Sequence, residues 1–116
     1  MDKAHVDFMI RKAFVMRVHQ GFEAEYERRH NPIWPELEVV LREHGVLNYS
    51  IFLEPTSRQL FAYAEIDDEA RWNAIAQTAV CRRWWEHMKT IMPSNADSSP
   101  VALQLREVFH IEQENL

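Results

Sequence analysis

Along this chain the spacing of apolar residues switches between the alternation of a β-strand and the period of about 3.6 of an amphipathic helix, and the order of those switches limits the fold more than any other feature. Residues 9–18, MIRKAFVMRV, alternate, with Ile10, Phe14, Met16 and Val18 on one face and Arg11, Ala13, Val15 and Arg17 on the other, which predicts a strand. From Phe22 the period turns helical, with Phe22, Tyr26, Ile33, Leu37, Val40, Leu41 and His44 near one stripe, until Gly45 supplies a stop. Asn31-Pro32 and Trp34-Pro35 each remove a backbone donor and push the preceding residue out of the helical region, so a break is expected between His30 and Trp34. A side chain just ahead of such a break, here His30, can be aimed into a pocket instead of along the stripe.

Val46 to Glu54 and Gln59 to Ile66 are β-rich runs joined by Pro55-Thr56-Ser57-Arg58, a length and composition suited to a hairpin. Asp67, Asp68 and Glu69 then place acids where a helix N-terminus favours them. The helical pattern runs through Trp72, Ile75 and Ala76, weakens around Thr78, and resumes as Val80, Trp84, Met88 and Ile91 until Pro93, as two consecutive helices or one kinked helix. Residues 94–100 have the composition of a surface loop, and Leu103 to Ile111 read as the last strand.

The order βαββαβ predicts an α+β, ferredoxin-like fold, a four-stranded antiparallel sheet with helices on one face. Phe61, Tyr63, Tyr49 and Val15, or their neighbours of opposite parity, would line the other face, too much apolar surface to leave wet. A second copy packed against it would make a homodimer, a dimeric α+β barrel with room for a small ligand.

At 116 residues the chain is expected to form a single domain over 1–116, with 1–8 as an N-terminal extension. Lys and Arg total 13 against 18 Asp and Glu, a net charge of −5, which argues against tracking the phosphates of a nucleic acid. Two glycines, Gly21 and Gly45, are too few and too separated for a phosphate-cradling loop. Cys81, the only cysteine, excludes an internal disulfide and a Cys-x-x-Cys pair and suits a reducing cytoplasm. No apolar run approaches the ~18 residues of a spanning helix, and residues 1–8 lack the order of a signal peptide, so neither membrane insertion nor export is expected.

The six histidines form no His-x-x-His, His-x₃-His or His-Glu-x-x-His element, so no metal site is expected. Cys81 has no accompanying nucleophile signature and no Gly-x-Ser-x-Gly occurs, so covalent catalysis is not expected either. Glu23, Glu25, Glu27, Glu36 and Glu38 sit at helical spacing from Arg28, Arg29 and Arg42, the pattern of a solvated, salt-bridged face. Tyr26 and His30 lie one helical turn apart on one face, ahead of the proline break. By spacing alone the plainer account is the stronger, an amphipathic core aromatic followed by a hydrogen-bonding helix terminator. Trp84 and Trp85 point about 100° apart on a helix and cannot share a narrow stripe. Trp84 continues the core stripe, and Trp85 is left for a cavity wall or an interface, where its flat face and single N–H suit a sugar; plain packing accounts for it equally well.

MIRKAFVMRV at 9–18, YERRHNPIWPELE at 26–38, HGVLNYSIFL at 44–53, RWNAIAQTAVCRRWW at 71–85 and MPSNADSSPV at 92–101 together closely resemble the L-rhamnose mutarotase family over nearly the whole chain. The resemblance implies a small cytoplasmic isomerase of sugar catabolism that forms a dimeric α+β barrel and interconverts the α and β anomers of L-rhamnose without a cofactor or metal. It places the proton donor of the family on His30, the substrate-contacting tyrosines on Tyr26 and Tyr49, and the tandem sugar-contacting tryptophans on Trp84 and Trp85. Two other classes fit the same architecture: a non-catalytic sugar-binding barrel and a cofactor-independent monooxygenase.

Overall fold

A computed structural model describes residues 9–114 of the chain; the extension expected at 1–8 lies outside the described residues. The elements in order are β1 (Ile10–Arg17), α1 (Glu23–Arg29), α2 (Pro35–Glu43), β2 (Val46–Glu54), β3 (Gln59–Ile66), α3 (Glu69–Ala74), a 3₁₀ turn (Ile75–Gln77), α4 (Ala79–Met88) and β4 (Leu103–Leu105). The strands form one antiparallel sheet in the order β2-β3-β1-β4, the ferredoxin-like arrangement. The predicted break between His30 and Trp34 separates α1 from α2, and Pro35 opens α2, where its missing N–H costs nothing.

The helices cover one sheet face. Leu60, Ala62, Ala64 and Ile66 of β3 are buried there, beside Phe14 and Met16 of β1, as the two-residue period requires. Asp68 caps α3 by accepting the Arg71 amide at 2.8 Å, and Thr78 caps α4 by accepting the Cys81 amide at 3.2 Å, so the weakened pattern around Thr78 resolves as two helices. The second of these ends at Met88, and Ile91 and Met92 continue the core from the segment beyond. Gly45 sits at φ +87, where a Cβ would run into the carboxylate of Asp67, so the stop between α2 and β2 requires glycine for its backbone and its space. In the loop at 94–100, Ser94 bridges Pro100 and Ser98 turns inward, its hydroxyl donating to Glu86 at 2.7 Å.

Two expectations are corrected. Tyr49 does not share a face with Phe61 and Tyr63. A bulge between Val46 and Asn48 shifts the register so that Tyr49 pairs with Ala64 and lies on the helix-covered side. The outer face instead carries Val15, Phe52, Phe61, Tyr63, Leu103 and Leu105, and Phe52 and Leu103 are 65% and 71% exposed. The last strand is also shorter than the alternation through Ile111 suggested, ending at Leu105. In this register Ile10, the first residue of β1, would face Val108, so 109–111 have no β1 residue opposite them. The ladder stops earlier, and side chains continue the contact, Arg11 donating to Glu107 at 2.8 Å.

Candidate active site

Between the inner sheet face and the helices lies a cavity of about 900 Å³, and Tyr26, His30, Tyr49, Trp84 and Trp85 all line it. A turn at Gly21 leads into α1, whose first turn carries Glu23 and Glu25 and whose last turn carries Arg28 and Arg29, both placements favoured by the helix dipole. This orientation buries Tyr26 and makes His30 the C-terminal cap. The His30 ring stacks on Tyr26 with centroids 4.4 Å apart and meets the Trp84 indole edge-on at 5.2 Å.

His30 Nδ1 lies 2.8 Å from the Tyr26 carbonyl oxygen. A carbonyl can only accept, so Nδ1 carries the proton and Nε2 is the nitrogen that exchanges one. Among the described residues no buried side-chain nitrogen or oxygen lacks a partner. Tyr26 Oη, His30 Nε2 and the indole nitrogens of Trp84 and Trp85 make no hydrogen bond to the described residues, and the side chains that carry them line the cavity. Hydrogen-bonding tips on otherwise enclosed rings are what a sugar needs, apolar faces for its C–H surface and donors or acceptors for its hydroxyls.

Tyr49 enters from β2 and keeps 37% of its surface exposed, its ring held by Phe14 at 6.4 Å and Trp72 at 5.9 Å. Trp84 is supported from behind by Trp34 at 5.1 Å, which in turn stacks on His87 at 5.4 Å. Arg29 ties α1 to α4, donating to the His87 carbonyl at 2.6 Å and to Glu25 at 2.7 Å. Trp85 is half-buried and packs against both halves of the core while lining the cavity. The alternatives for Trp84 thus merge, since it is 8% exposed, belongs to the core and touches His30.

Burial lowers the His30 pKa from its ordinary value, opposed by the hydrogen bond to the Tyr26 carbonyl. Burial pushes both phenols above the ordinary tyrosine value, Tyr26 being raised further by Tyr49. The Cys81 thiol is pushed up to about 11 by burial, which leaves it un-ionised at neutral pH. The site therefore combines one imidazole able to change charge in mild acid with two phenols that stay protonated. The glutamates of α1 and α2 stand apart from this chemistry, Glu25 pairing with Arg28 and Arg29 and Glu38 with Arg42.

Sequence reasoning placed Trp72 and Phe14 on apolar faces but did not connect them with Tyr49, and it gave Trp34 no role. Aromatic residues clustered around an odd tyrosine are a weak signal, because only the tertiary contacts distinguish a brace from ordinary core.

Residues 11–111 match the sequence model of the L-rhamnose mutarotase family. The chain is 68% identical to an L-rhamnose mutarotase of Opitutus terrae over 104 residues, 90% of this chain and all of the relative. It is 60% identical to that of Cronobacter sakazakii over the same shares. Among solved structures, an L-rhamnose mutarotase of Formosa agariphila superposes with a TM-score of 0.81 at 37% identity, covering 89% of this chain and 99% of that one. A candidate antibiotic biosynthesis monooxygenase of Bordetella bronchiseptica superposes at 0.64 with 13% identity, covering 87% and 98%, a likeness of fold alone.

Proposed function

The chain belongs to the L-rhamnose mutarotase family, and from that premise we propose that it interconverts the α and β anomers of L-rhamnose by acid–base opening and closing of the ring, with His30 moving the proton at the ring oxygen. The observation that carries the residue assignment is the locked tautomer of His30, Nδ1 held on the Tyr26 carbonyl and Nε2 without a partner among the described residues, on a ring that lines the cavity.

In opening, the bond between the anomeric carbon and the ring oxygen breaks, and its electron pair takes a proton from Nε2 of protonated His30. The anomeric hydroxyl gives up its proton and becomes the aldehyde oxygen. Rotation about the bond to the next carbon turns the other aldehyde face to the chain hydroxyl, and closure runs both transfers backwards. Tyr26 and Tyr49, held as phenols, orient the sugar hydroxyls, and Tyr49, partly open to solvent, carries the complementary transfer without ionising, accepting the anomeric proton as its own passes to bulk water. Trp84 and Trp85 hold the sugar by their faces and indole N–H groups. General acid–base help of this kind is worth roughly 10²–10⁴-fold.

The proposal extends to the assembly and compartment. The exposed apolar sheet face around Phe52, Phe61 and Leu103 supports a homodimer closed face to face. A single buried, reduced cysteine supports a cytoplasmic setting, and no described helix is long and apolar enough to cross a membrane.

The test is the α–β exchange rate of L-rhamnose at equilibrium, by saturation-transfer NMR, with wild type and His30→Ala. Acceleration by wild type alone is expected. Sugar binding without acceleration would move the function to a binding module.

A further inference from the structure

The hydrogen bond from His30 to the Tyr26 carbonyl fixes one nitrogen, and packing must set the plane of the ring. Two rings do so, Tyr26 stacked at 4.4 Å and the Trp84 indole edge-on at 5.2 Å. Tyr26 is four residues away on the same helix, so its contact is local. Trp84 comes from α4, and its contact depends on how that indole is held. Trp34 holds it from the far side. It meets Trp84 at 5.1 Å and 83°, and stacks on His87 at 5.4 Å and 29°. Trp84 and His87 are three residues apart on one face of α4, with centroids 5.8 Å apart, and Trp34 packs on both. Pro35 keeps the Trp34 backbone extended, at φ −54 and ψ 126, which fixes where this side chain leaves the chain. His30 and Trp34 are thus the two ends of the connection between α1 and α2, and together they grip one indole. Tyr26, His30 and Trp84 line the cavity, whereas Trp34 does not.

We propose that Trp34 is a positioning residue for the reaction: by holding Trp84 against His30 from outside the cavity, it fixes the line along which Nε2 meets the sugar. The inference rests on the reading above, in which His30 moves the proton. A smaller residue at 34 opens space behind Trp84, the indole relaxes into it, and the imidazole loses one of the two rings that orient it. A displacement of about 1 Å at a reacting group can cost roughly 10²-fold in rate. Arg29 still ties α1 to α4 through the His87 carbonyl at 2.6 Å, so the two helices stay together without Trp34.

The test compares wild type, Trp34→Leu, Trp34→Phe and His87→Ala by saturation-transfer NMR over a range of L-rhamnose concentrations, with rates normalised to folded protein. Trp34→Leu is expected to lower kcat by about 10- to 100-fold and to change KM by less than about threefold, since the sugar-facing walls remain. Trp34→Phe keeps an aromatic wedge and is expected to recover most of the loss. His87→Ala removes an exposed ring from the outer side of Trp34, where folding is not at stake, and is expected to lower kcat by roughly 2- to 5-fold. In Trp34→Leu the nuclear Overhauser contacts between the His30 and Trp84 rings should weaken while those between His30 and Tyr26 persist, a pattern that a general loss of stability does not produce. If Trp34→Leu does not fold, Trp34→Phe and His87→Ala decide: wild-type kcat in both overturns the proposal. Wild-type kcat in folded Trp34→Leu overturns it, as does a rise in KM alone, which would make Trp34 part of the sugar's wall. A fall in kcat with the His30–Trp84 contacts intact overturns the route through Trp84. Failure of the wild type to accelerate exchange, or full activity of His30→Ala, is the distinct failure of the underlying reading and removes the inference with it.

Discussion

At the scale of single residues, the behaviour of the site turns on one imidazole whose tautomer the backbone chooses. Because the Tyr26 carbonyl holds Nδ1, the donor form is the imidazolium with its proton on Nε2. His30→Ala is expected to slow anomer exchange by roughly 10²–10⁴-fold while leaving the thermal melt nearly unchanged. The pH dependence has a definite sign. Burial places the His30 pKa below the ordinary 6.5, so the donor fraction, and kcat/KM with it, falls as pH rises through a value below 6.5. Exchange rates measured from pH 5 to 8 check this, and a rate that climbs across the window would make His30 the base of the opening step. Trp85→Ala leaves the proposed acid in place and removes a wall, so it is expected to raise KM more than it lowers kcat, by roughly 2- to 10-fold for one lost aromatic contact.

At the scale of elements, the position of α1 decides where His30 points. The Glu25 carboxylate, hydrogen-bonded first by Arg28 and then by Arg29, is held near about 2 from an ordinary 4.5. A depressed carboxylate contributes stability above its unfolded pKa and loses it as pH falls through the folded one. The stability gap between wild type and Glu25→Gln, read from urea midpoints, is therefore expected to be full near pH 6 and to shrink between pH 4.5 and 2. The junction of α2 and β2 depends on Gly45, whose positive φ strains any other residue and whose missing Cβ leaves the space that the Asp67 carboxylate occupies. Gly45→Ala is expected to destabilise by about 1–3 kcal/mol from backbone strain alone, visible as a lower melting temperature.

At the scale of the whole molecule, one sheet face is buried under helices and the other exposes an apolar patch around Phe52, Phe61 and Leu103. A chain of this size gains little by keeping Phe52 and Leu103 in water, and face-to-face pairing removes both from it. Wild type is expected to sediment as a dimer, and Leu103→Asp, which places a charge on that face at its β4 edge, as a monomer. Wild-type sedimentation as a monomer would instead leave the outer face without the proposed partner.

The element order was legible in the sequence because a strand's alternation and a helix's stripe are local properties: β2 and β3 have the boundaries their residues imply, and the prolines at 32 and 35 mark the break that sets His30 apart. The spacing of Tyr26 and His30 and the doubled tryptophan also pointed to residues that share one cavity. Register was not legible. A bulge at Val46 to Asn48 turned Tyr49 from the outer face to the inner one, and only the pairing with Ala64 reveals it. Nor was the end of β4 at Leu105, short of the Val108 that the start of β1 would face, and the free nitrogen of His30 depended on a carbonyl bond that many helix-terminating histidines could make or miss. Periodicity tells a residue which neighbours in sequence share its side; which side faces the cavity, and which atom is left unpaired there, are set by contacts between segments distant in the chain.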